Sequence, residues 1–257
     1  MIEPYYQIEF TALACKFEVT LNGINLISLS IGGQASTLLP LNSGISKSGE
    51  QKLHVKLLPL EGQEFLHTQA EFKYVFKVFE VRFGFELKQT MEGYTFPKVD
   101  ESKKQKFLEH EQTFQAEVPY VLNTWQNGTP LTDVDELSDK LKRAYARIAS
   151  YIRNKDYDQL RAALANREKT MATSMYLKEE DSAARINSII EDAENGFMVM
   201  PFDVTALIHI SGYGKLAAYK KLNGEPVLTL FNPETGEEVM LDLCFYVPAG
   251  KTEFEVI

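Results

Sequence analysis

The sequence predicts an α+β fold, in which strands and helices occupy separate parts of the chain. Three observations support this prediction. Apolar and polar residues alternate, as in strands, up to about residue 130. Apolar residues then recur every three or four positions, as in helices, from Thr132 to Asn195, and alternation returns after Gly196. Because strands and helices are segregated and do not alternate, the class is α+β.

Residues 1–130 are predicted to form an antiparallel β-sandwich domain. Asn22-Gly23 separates the first two strands, and this dipeptide readily supplies the positive φ angles of a tight hairpin turn. The segment 31–50 is rich in Gly and Ser and is expected to form a loop, and the charged segment 97–112 is expected to be an exposed excursion. The predicted strands lie in residues 5–21, 24–30, 53–57, 70–89 and 114–118.

The most aromatic part of this domain is the stretch 70–89. Its first four apolar residues share one face, and the next four share a face after a one-residue change of phase. These two sets are Phe72, Tyr74, Phe76 and Val78, followed by Phe79, Val81, Phe83 and Phe85. The phase change predicts a bulge or a bend between two strands.

Residues 131–257 are predicted to form a second domain, with three helices packed on an antiparallel β-meander. The first helix begins at Thr132 or Asp133, the second is capped by Asp156, and the third runs from about Glu179 to Asn195-Gly196. The meander strands are predicted at 197–202, 204–210, 216–221, 227–231, 239–247 and 252–257, with Met198 and Met200 facing inward. Helices that lead into a curved meander resemble, in the order of their elements, the cone-shaped fold of nuclear-transport-factor-like proteins.

The charge balance restricts the kinds of partner. The net charge is −9, which argues against nucleic-acid binding and against docking on an anionic membrane surface. Residues 222–257 contain seven acidic side chains and one basic side chain, so six of the nine net charges lie there. This concentration fits two interpretations: a solvated edge that favours solubility, or an electrostatic surface for a basic protein partner.

The sequence predicts a cytoplasmic protein. The N-terminal residues lack the basic and apolar regions of a secretory signal, and no window of 18 apolar residues is present. Cys15 and Cys244 each lie in an alternating apolar run, as small buried side chains do, although a disulfide between them is compatible with the sequence if the termini meet.

No catalytic, cofactor-binding or metal-ligating residue is assigned. The chain contains no GxSxG, HExxH, GxxxxGK[ST] or EF-hand pattern, and no two histidines are spaced as metal ligands. His209 with Asp203 is the best candidate for an oriented general base. The two are six residues apart, however, so a straight strand would separate them by about 20 Å. The paired carboxylates lie at helix ends and in turns, where solvated charge is expected.

Five residues are assigned to partner binding. Trp125 and Tyr120 flank the passage from strands to helices, where they serve either as packing residues or as interface anchors, since Trp and Tyr dominate binding energetics. Glu234, Glu237 and Glu238 represent the acidic C-terminal segment. The expected partner is a protein that is basic or that bears a cleft.

Parts of the N-terminal half resemble β-sandwich modules of bacterial toxin-immunity proteins, of the type that protects against type VI secretion effectors. The resemblance rests on a strand ending in Asn22-Gly23, on Pro40-Leu41-Asn42, on Ser48-Gly49 before 53–59, and on Val118-Pro119-Tyr120 leading to Trp125 and an acid-capped helix. It implies a non-enzymatic cytoplasmic protein that occludes the active site of a toxin, and no functional residue is carried over from it.

Two alternatives stay open. The first is a chaperone or adaptor of a secretion system, which binds its partner transiently and leaves the partner's activity intact. The second is a small-molecule-binding protein or enzyme with a pocket in the C-terminal domain, lined by His209, Tyr213 or Tyr219.

Overall fold

The structure is a computed structural model in which residues 2–257 are described. These residues contain three α-helices and thirteen β-strands in antiparallel sheets, which confirms the α+β class. The chain divides into two compact units. The first contains the residues up to Leu122 together with Ser174–Tyr176, and the second contains Asn123–Thr173 and Leu177–Ile257. The sequence predicts this boundary at residue 130.

The first unit is one six-stranded antiparallel sheet. Its central strand, β1, pairs with β4 through residues 4–13 and with β3 through residues 16–21, while β2 pairs with β1 along nearly its whole length. The strand order is β5-β4-β1-β3-β6, with β2 as an additional neighbour of β1. The strands are β1 (Pro4–Leu21), β2 (Ile24–Pro40), β3 (Gly49–Leu58), β4 (Glu71–Glu80), β5 (Glu86–Thr95) and β6 (Leu108–Ala116).

This sheet curls around its own core. The register of β1 against β2 shifts between Leu13 and Cys15, and Ala14 between them has a positive φ of 47°. The change of partner from β4 to β3 occurs at the same place. Phe76 of β4 and Phe114 of β6 then meet with ring centroids 4.8 Å apart. The two layers of the predicted sandwich are therefore the two halves of one hydrogen-bonded sheet.

The core of the first unit follows the predicted alternation. Phe10, Phe17 and Phe72 are almost fully buried, and their ring centroids lie 5.0–5.3 Å apart. Burial of each such ring contributes about 2–3 kcal/mol. The hairpin turn at Asn22-Gly23 is confirmed, with φ angles of 51° and 77°. The predicted loop after residue 30 is wrong in part, because residues 31–40 continue β2 and pair with the first half of β1.

The second unit contains the helices and seven short strands. Two antiparallel sheets form, in the orders β11-β10-β7 and β13-β12-β9-β8, where one continuous meander was predicted. The elements are α1 (Leu137–Arg153), α2 (Tyr157–Met175), α3 (Glu179–Glu194), β7 (Met198–Val199), β8 (Leu207–Ser211), β9 (Leu216–Lys220), β10 (Leu228–Phe231), β11 (Glu238–Leu241), β12 (Phe245–Tyr246) and β13 (Glu255–Val256). The predicted strand 239–247 is divided between the two sheets as β11 and β12.

Tyr145 of α1 organises the core of the second unit. Its ring contacts those of Phe202, Tyr219 and Phe245, with centroids 4.6–6.0 Å apart. Its hydroxyl donates to the carbonyl of Leu243 at 3.2 Å and accepts from the N–H of Tyr219 at 3.0 Å. This buried phenol therefore fixes α1 against two segments of the second unit.

The predicted start of the third helix is accurate, and that of the first helix is not. The third helix begins at Glu179 as expected. The first helix, predicted from Thr132 or Asp133, begins only at Leu137. Leu131–Asp133 form a separate 3-10 turn, and the positive φ of Glu136, 54°, prevents this turn from continuing into α1.

Candidate functional site

Trp125 and Tyr120, both predicted to bind a partner, pack against other residues of the chain. Trp125 is only 8% exposed, and its ring lies against the backbone at Gly212. Tyr120 is half-buried, and its ring centroid is 5.9 Å from that of Tyr176. Burial raises the pKa of the Tyr120 phenol. Because the indole is covered, we leave Trp125 out of the candidate surface, and the packing interpretation of this residue is the one that its burial supports.

The C-terminal acidic residues fall into two groups. Three of the seven have a lysine partner: Glu225 with Lys221 at 3.3 Å, Asp242 with Lys220 at 2.7 Å, and Glu255 with Lys251. The other four form no ion pair within residues 2–257: Glu234, Glu237, Glu238 and Glu253. Three of these four unneutralised charges therefore lie in the turn between β10 and β11 and at the first residue of β11.

The buried side chain of Asn232 holds this turn in one conformation. Its Oδ1 accepts hydrogen bonds from the N–H groups of Glu234 and Thr235, at 2.9 and 3.3 Å. Gly236 supplies the positive φ of 74° that closes the turn. The Thr235 hydroxyl donates to the carboxylate of Glu237 at 3.0 Å. The carboxylates of this turn therefore project from a backbone that hydrogen bonds hold in one conformation.

The end of α3 adds further negative charge beside this turn. The Nδ2 of Asn232 donates to the carbonyl of Asn195, the C-cap residue of α3, at 3.1 Å. Burial, together with the charges of Glu191 and Glu237, raises the pKa of Asp192. Because the side chain of Asn232 joins the turn to the helix end, the two lie side by side. We define the acidic surface by its five carboxylates: Glu191, Asp192, Glu234, Glu237 and Glu238.

The position of these acids is electrostatically unfavourable. The C-terminus of a helix carries a partial negative charge and favours cations. The last turn of α3 contains no basic residue. Glu191 and Asp192 therefore add negative charge where the helix dipole already disfavours it, and the two raise each other's free energy further. A surface maintained against this electrostatic penalty is suited to a cationic partner.

Exposed methionines adjoin the acidic surface. In the sheet β11-β10-β7, Phe231 lies opposite both Met198 and Glu238, so these three side chains share one face. The exposed fractions are 57% for Met198, 40% for Met200 and 38% for Met240. We call Met198, Met200, Met240 and Phe231 the methionine face. The expectation that Met198 and Met200 point inward is wrong, because Val199 and Leu230 occupy the buried face.

A second exposed apolar feature lies in the first unit, at the turn between β4 and β5. Phe83 is 91% exposed and Phe85 is 69% exposed. The sequence pattern placed both on the face of a strand, but the strand β4 ends at Glu80 and the chain turns before β5 begins at Glu86. The predicted bulge or bend between two strands is confirmed, because the pairing of β4 with β5 shifts register between Val78 and Phe79. Gly84, with a φ of 129°, marks the turn that follows.

The proposed general base is not assembled. The carboxylate of Asp203 accepts hydrogen bonds from the N–H and the hydroxyl of Thr205, at 2.8 and 2.7 Å. These two bonds lower the pKa of Asp203. Among the described residues, His209 is not a hydrogen-bond or ion-pair partner of this carboxylate. The contact that the pair would require is therefore missing.

The residues expected to line a pocket are also dispersed. His209 lies opposite Ala218 and Ile208 lies opposite Tyr219, so His209 and Tyr219 face opposite sides of their strands. Tyr219 is buried in the aromatic core, and Tyr213 is 68% exposed. A cavity of about 280 Å³ does occur between α1, α2 and β13. Its arginine, Arg147, already donates to the carbonyl of Phe254 at 2.6 Å.

Both cysteines are free thiols. Burial raises the pKa of Cys15 to about 11 and that of Cys244 to about 12, so both stay protonated at neutral pH. In the described part of the chain, no group of three or more His, Cys, Asp or Glu side chains is arranged to hold a metal ion.

Comparisons with protein-family models, with curated proteins and with solved structures found no match to this chain. Within residues 2–257, no helix has both the length and the apolar character needed to cross a bilayer.

Proposed function

We propose that this chain is a protein-binding module that acts through the acidic surface and the adjoining methionine face. The observation that supports this most directly is that, within residues 2–257, Glu234, Glu237 and Glu238 have no lysine or arginine partner, so that their like charges repel one another on a turn held in place by Asn232. A basic protein segment would relieve this repulsion on binding. Charge complementarity of this kind speeds association and selects the partner.

The methionine face supplies the apolar part of the proposed interface. Methionine side chains are flexible and polarisable, so they adapt to the shape of an apolar partner surface. Three of them, exposed on one sheet face beside Glu238, match the pattern of an apolar centre with a charged rim. The partner that fits is a protein with a cluster of Lys and Arg beside apolar side chains.

As to biological role, we propose a cytoplasmic immunity protein that occludes the active site of a toxin delivered by type VI secretion. The resemblance of the N-terminal half to such modules supports this role, as does the acidic surface, which suits a basic or cleft-bearing toxin. The alternative of a secretion chaperone or adaptor predicts the same surface. It differs in leaving the partner active.

The test is capture of the partner at low salt from the native host, with identification by mass spectrometry. The variant Glu234→Lys/Glu237→Lys reverses two charges of the acidic surface. The matched control Asp135→Lys/Glu253→Lys makes the same change in net charge at two exposed acids elsewhere in the unit. We expect the first variant to lose at least tenfold in affinity and the control to retain it. Equal losses in both variants would mean that net charge alone matters, and would refute the proposed surface.

A second measurement separates the two roles. The captured partner is assayed for its own activity, alone and with one equivalent of this chain. Stoichiometric loss of activity supports the immunity role, whereas full activity in the complex supports the chaperone or adaptor. A partner that binds equally well in high salt would contradict the electrostatic basis of both, because screening weakens exposed charge interactions.

A further inference from the structure

The edge strand β2 is unusually open. Among the described residues, β1 is its only paired neighbour, so alternate residues of β2 direct their N–H and C=O groups away from the sheet. Natural sheets usually protect such edges with charged side chains, proline or very short strands. β2 is 17 residues long. Its proline, Pro40, is the last residue of the strand.

The strand also lies in a stretch without charge. No Asp, Glu, Lys, Arg or His occurs between Glu18 and Lys47. At the chain's charged fraction of 25%, a stretch of this length would contain about seven charged residues. Each copy of the chain has a net charge of −9, so two copies repel each other over most of their surface. β2 itself contributes no charged side chain to this repulsion.

The segment Ile27–Ile31 is the part of β2 best formed for pairing. Register shifts against β1 occur on both sides of it, near Leu26 and near Gly32-Gly33, and the pairing between them is regular. Its inward side chains do not complete the core: Leu29 is 42% exposed, and Ile27 and Ile31 are only partly buried. A further strand at this edge would cover all three.

The sequence of this segment identifies the strand that fits. Ile-Ser-Leu-Ser-Ile is the same in both directions about Leu29. When two such strands pair antiparallel about a two-fold axis through Leu29, Ile27 faces Ile31 of the second copy, and Ser28 faces Ser30. Each apolar residue then meets an apolar residue, and each serine meets a serine.

We propose that this edge is a self-association surface, where β2 of one copy pairs with β2 of a second copy through Ile27–Ile31. The two copies thereby form one continuous antiparallel sheet, with Leu29 against its own counterpart. The paired segment is short, so the dimer is weak and forms at high protein concentration. This inference concerns the first unit and does not depend on the proposed function.

The first test is the mass in solution, measured by analytical ultracentrifugation up to about 100 µM. We expect the mass to double with rising concentration for the wild type and for Leu38→Lys, a control on the same strand with a similarly exposed leucine at 45%. Leu29→Lys, which places two like charges at the two-fold axis, should stay monomeric. A wild type that is monomeric throughout would overturn the proposal, since the edge would then be unused or would serve a strand from another protein.

A second test keeps the proposal falsifiable if Leu29→Lys is misfolded. Equal amounts of Leu29→Lys and Leu29→Glu are mixed, so that opposite charges meet at the axis. We expect each variant alone to be monomeric and the mixture to recover the dimer mass. A mixture that stays monomeric while the wild type dimerises would place the contact elsewhere.

Cross-linking provides a third test. Under mild oxidation, Leu29→Cys should form a disulfide-linked dimer and Leu38→Cys should not. Equal cross-linking of both variants would also refute the assignment.

Discussion

The imidazole of His110 lies flat on the phenol ring of Tyr94, with ring centroids 3.4 Å apart and planes 3° from parallel. His110 belongs to β6 and Tyr94 to β5, the strands at the two ends of the curled sheet. The side chain of Gln112 also joins these strands, because its Nε2 donates to the carbonyl of Glu92 at 3.0 Å. Side chains thus connect β5 and β6, which are not paired with each other through backbone hydrogen bonds.

The partly buried His110 makes the stability of the first unit sensitive to acid. Burial, and secondarily the charge of His54, lower the pKa of His110. Below the ordinary histidine pKa near 6.5, the unfolded chain therefore binds more protons at this residue than the folded chain does. The free energy of unfolding is expected to fall as the pH drops through about 6.5, and the loss is complete once the pH is below the lowered pKa.

The measurement is urea unfolding at several pH values between about 5 and 8. His110→Phe keeps an aromatic ring against Tyr94 but cannot be protonated, so its stability should fall less on acidification than that of the wild type. His209→Phe serves as the control and should behave as the wild type does. If His110→Phe has the wild-type pH dependence, another group is responsible.

Asn42 is expected to be the most costly polar residue to remove from the first unit. It is fully buried, its Oδ1 accepts from the N–H of Tyr6 at 2.7 Å, and its Nδ2 donates to the carbonyls of Pro4 and Ser174 at 3.1 and 3.0 Å. Asn42→Ala leaves three backbone groups without this partner, and the hydrogen bonds to Tyr6 and Ser174 are buried. We expect a loss of about 3 kcal/mol in the free energy of unfolding. Asn166→Ala, at an exposed helical position, should change it by less than about 0.5 kcal/mol.

Gly212 allows separate measurement of backbone strain and steric overlap. Its φ is 57°, and a Cβ there would lie 2.7 Å from the Cγ of Leu216 and 3.1 Å from Cζ3 of Trp125. Gly224 has a φ of 90° with open space around it. Gly224→Ala is expected to cost about 1 kcal/mol from strain alone, and Gly212→Ala about 3 kcal/mol from strain and overlap together.

The sole tryptophan of the chain reports the same difference. Because the overlap at Gly212 involves the indole of Trp125, its emission should shift in folded Gly212→Ala and stay constant in Gly224→Ala. Equal destabilisation of both variants, with unchanged emission, would show that overlap contributes nothing.

Local sequence patterns predicted the individual helices, strands and turns better than they predicted which strands pair with each other. Asn22-Gly23 and the start of α3 at Glu179 were predictable, because turn chemistry and helix-start signals depend on neighbouring residues. The extension of β2 to Pro40 was not predictable. Residues 31–40 form a strand because they pair with the first half of β1, and their own Gly- and Ser-rich sequence gives no sign of this pairing.

The candidate surface was predictable only in part. The excess of acid after residue 222 was visible in the sequence, but its distribution depends on which lysines lie close in space. Met198 was correctly expected to lie in a strand, yet alternation cannot tell which face of that strand is covered. The burial of Trp125 was not predictable for the same reason, since a tryptophan in a connecting segment can pack inward or outward.

Asp192 connects stability with the proposed function. Its pKa is raised, so the charged form is less favourable in the folded chain than in the unfolded chain at neutral pH. Asp192→Asn, at the C-terminal end of α3, should therefore stabilise the protein, by a few tenths of a kcal/mol at low ionic strength because solvent screens much of the repulsion. The gain should disappear as the pH falls through the raised pKa towards the ordinary value, because the wild-type carboxyl then becomes neutral as well.

The control has the opposite sign. Asp158 lies in the first turn of α2, where the helix dipole favours negative charge, so Asp158→Asn should destabilise the protein by a few tenths of a kcal/mol. If Asp192→Asn stabilises the chain and also weakens capture of the basic partner, the carboxylate is retained for binding at the expense of stability. A stabilised variant that captures the partner as well as the wild type would place Asp192 outside the interface.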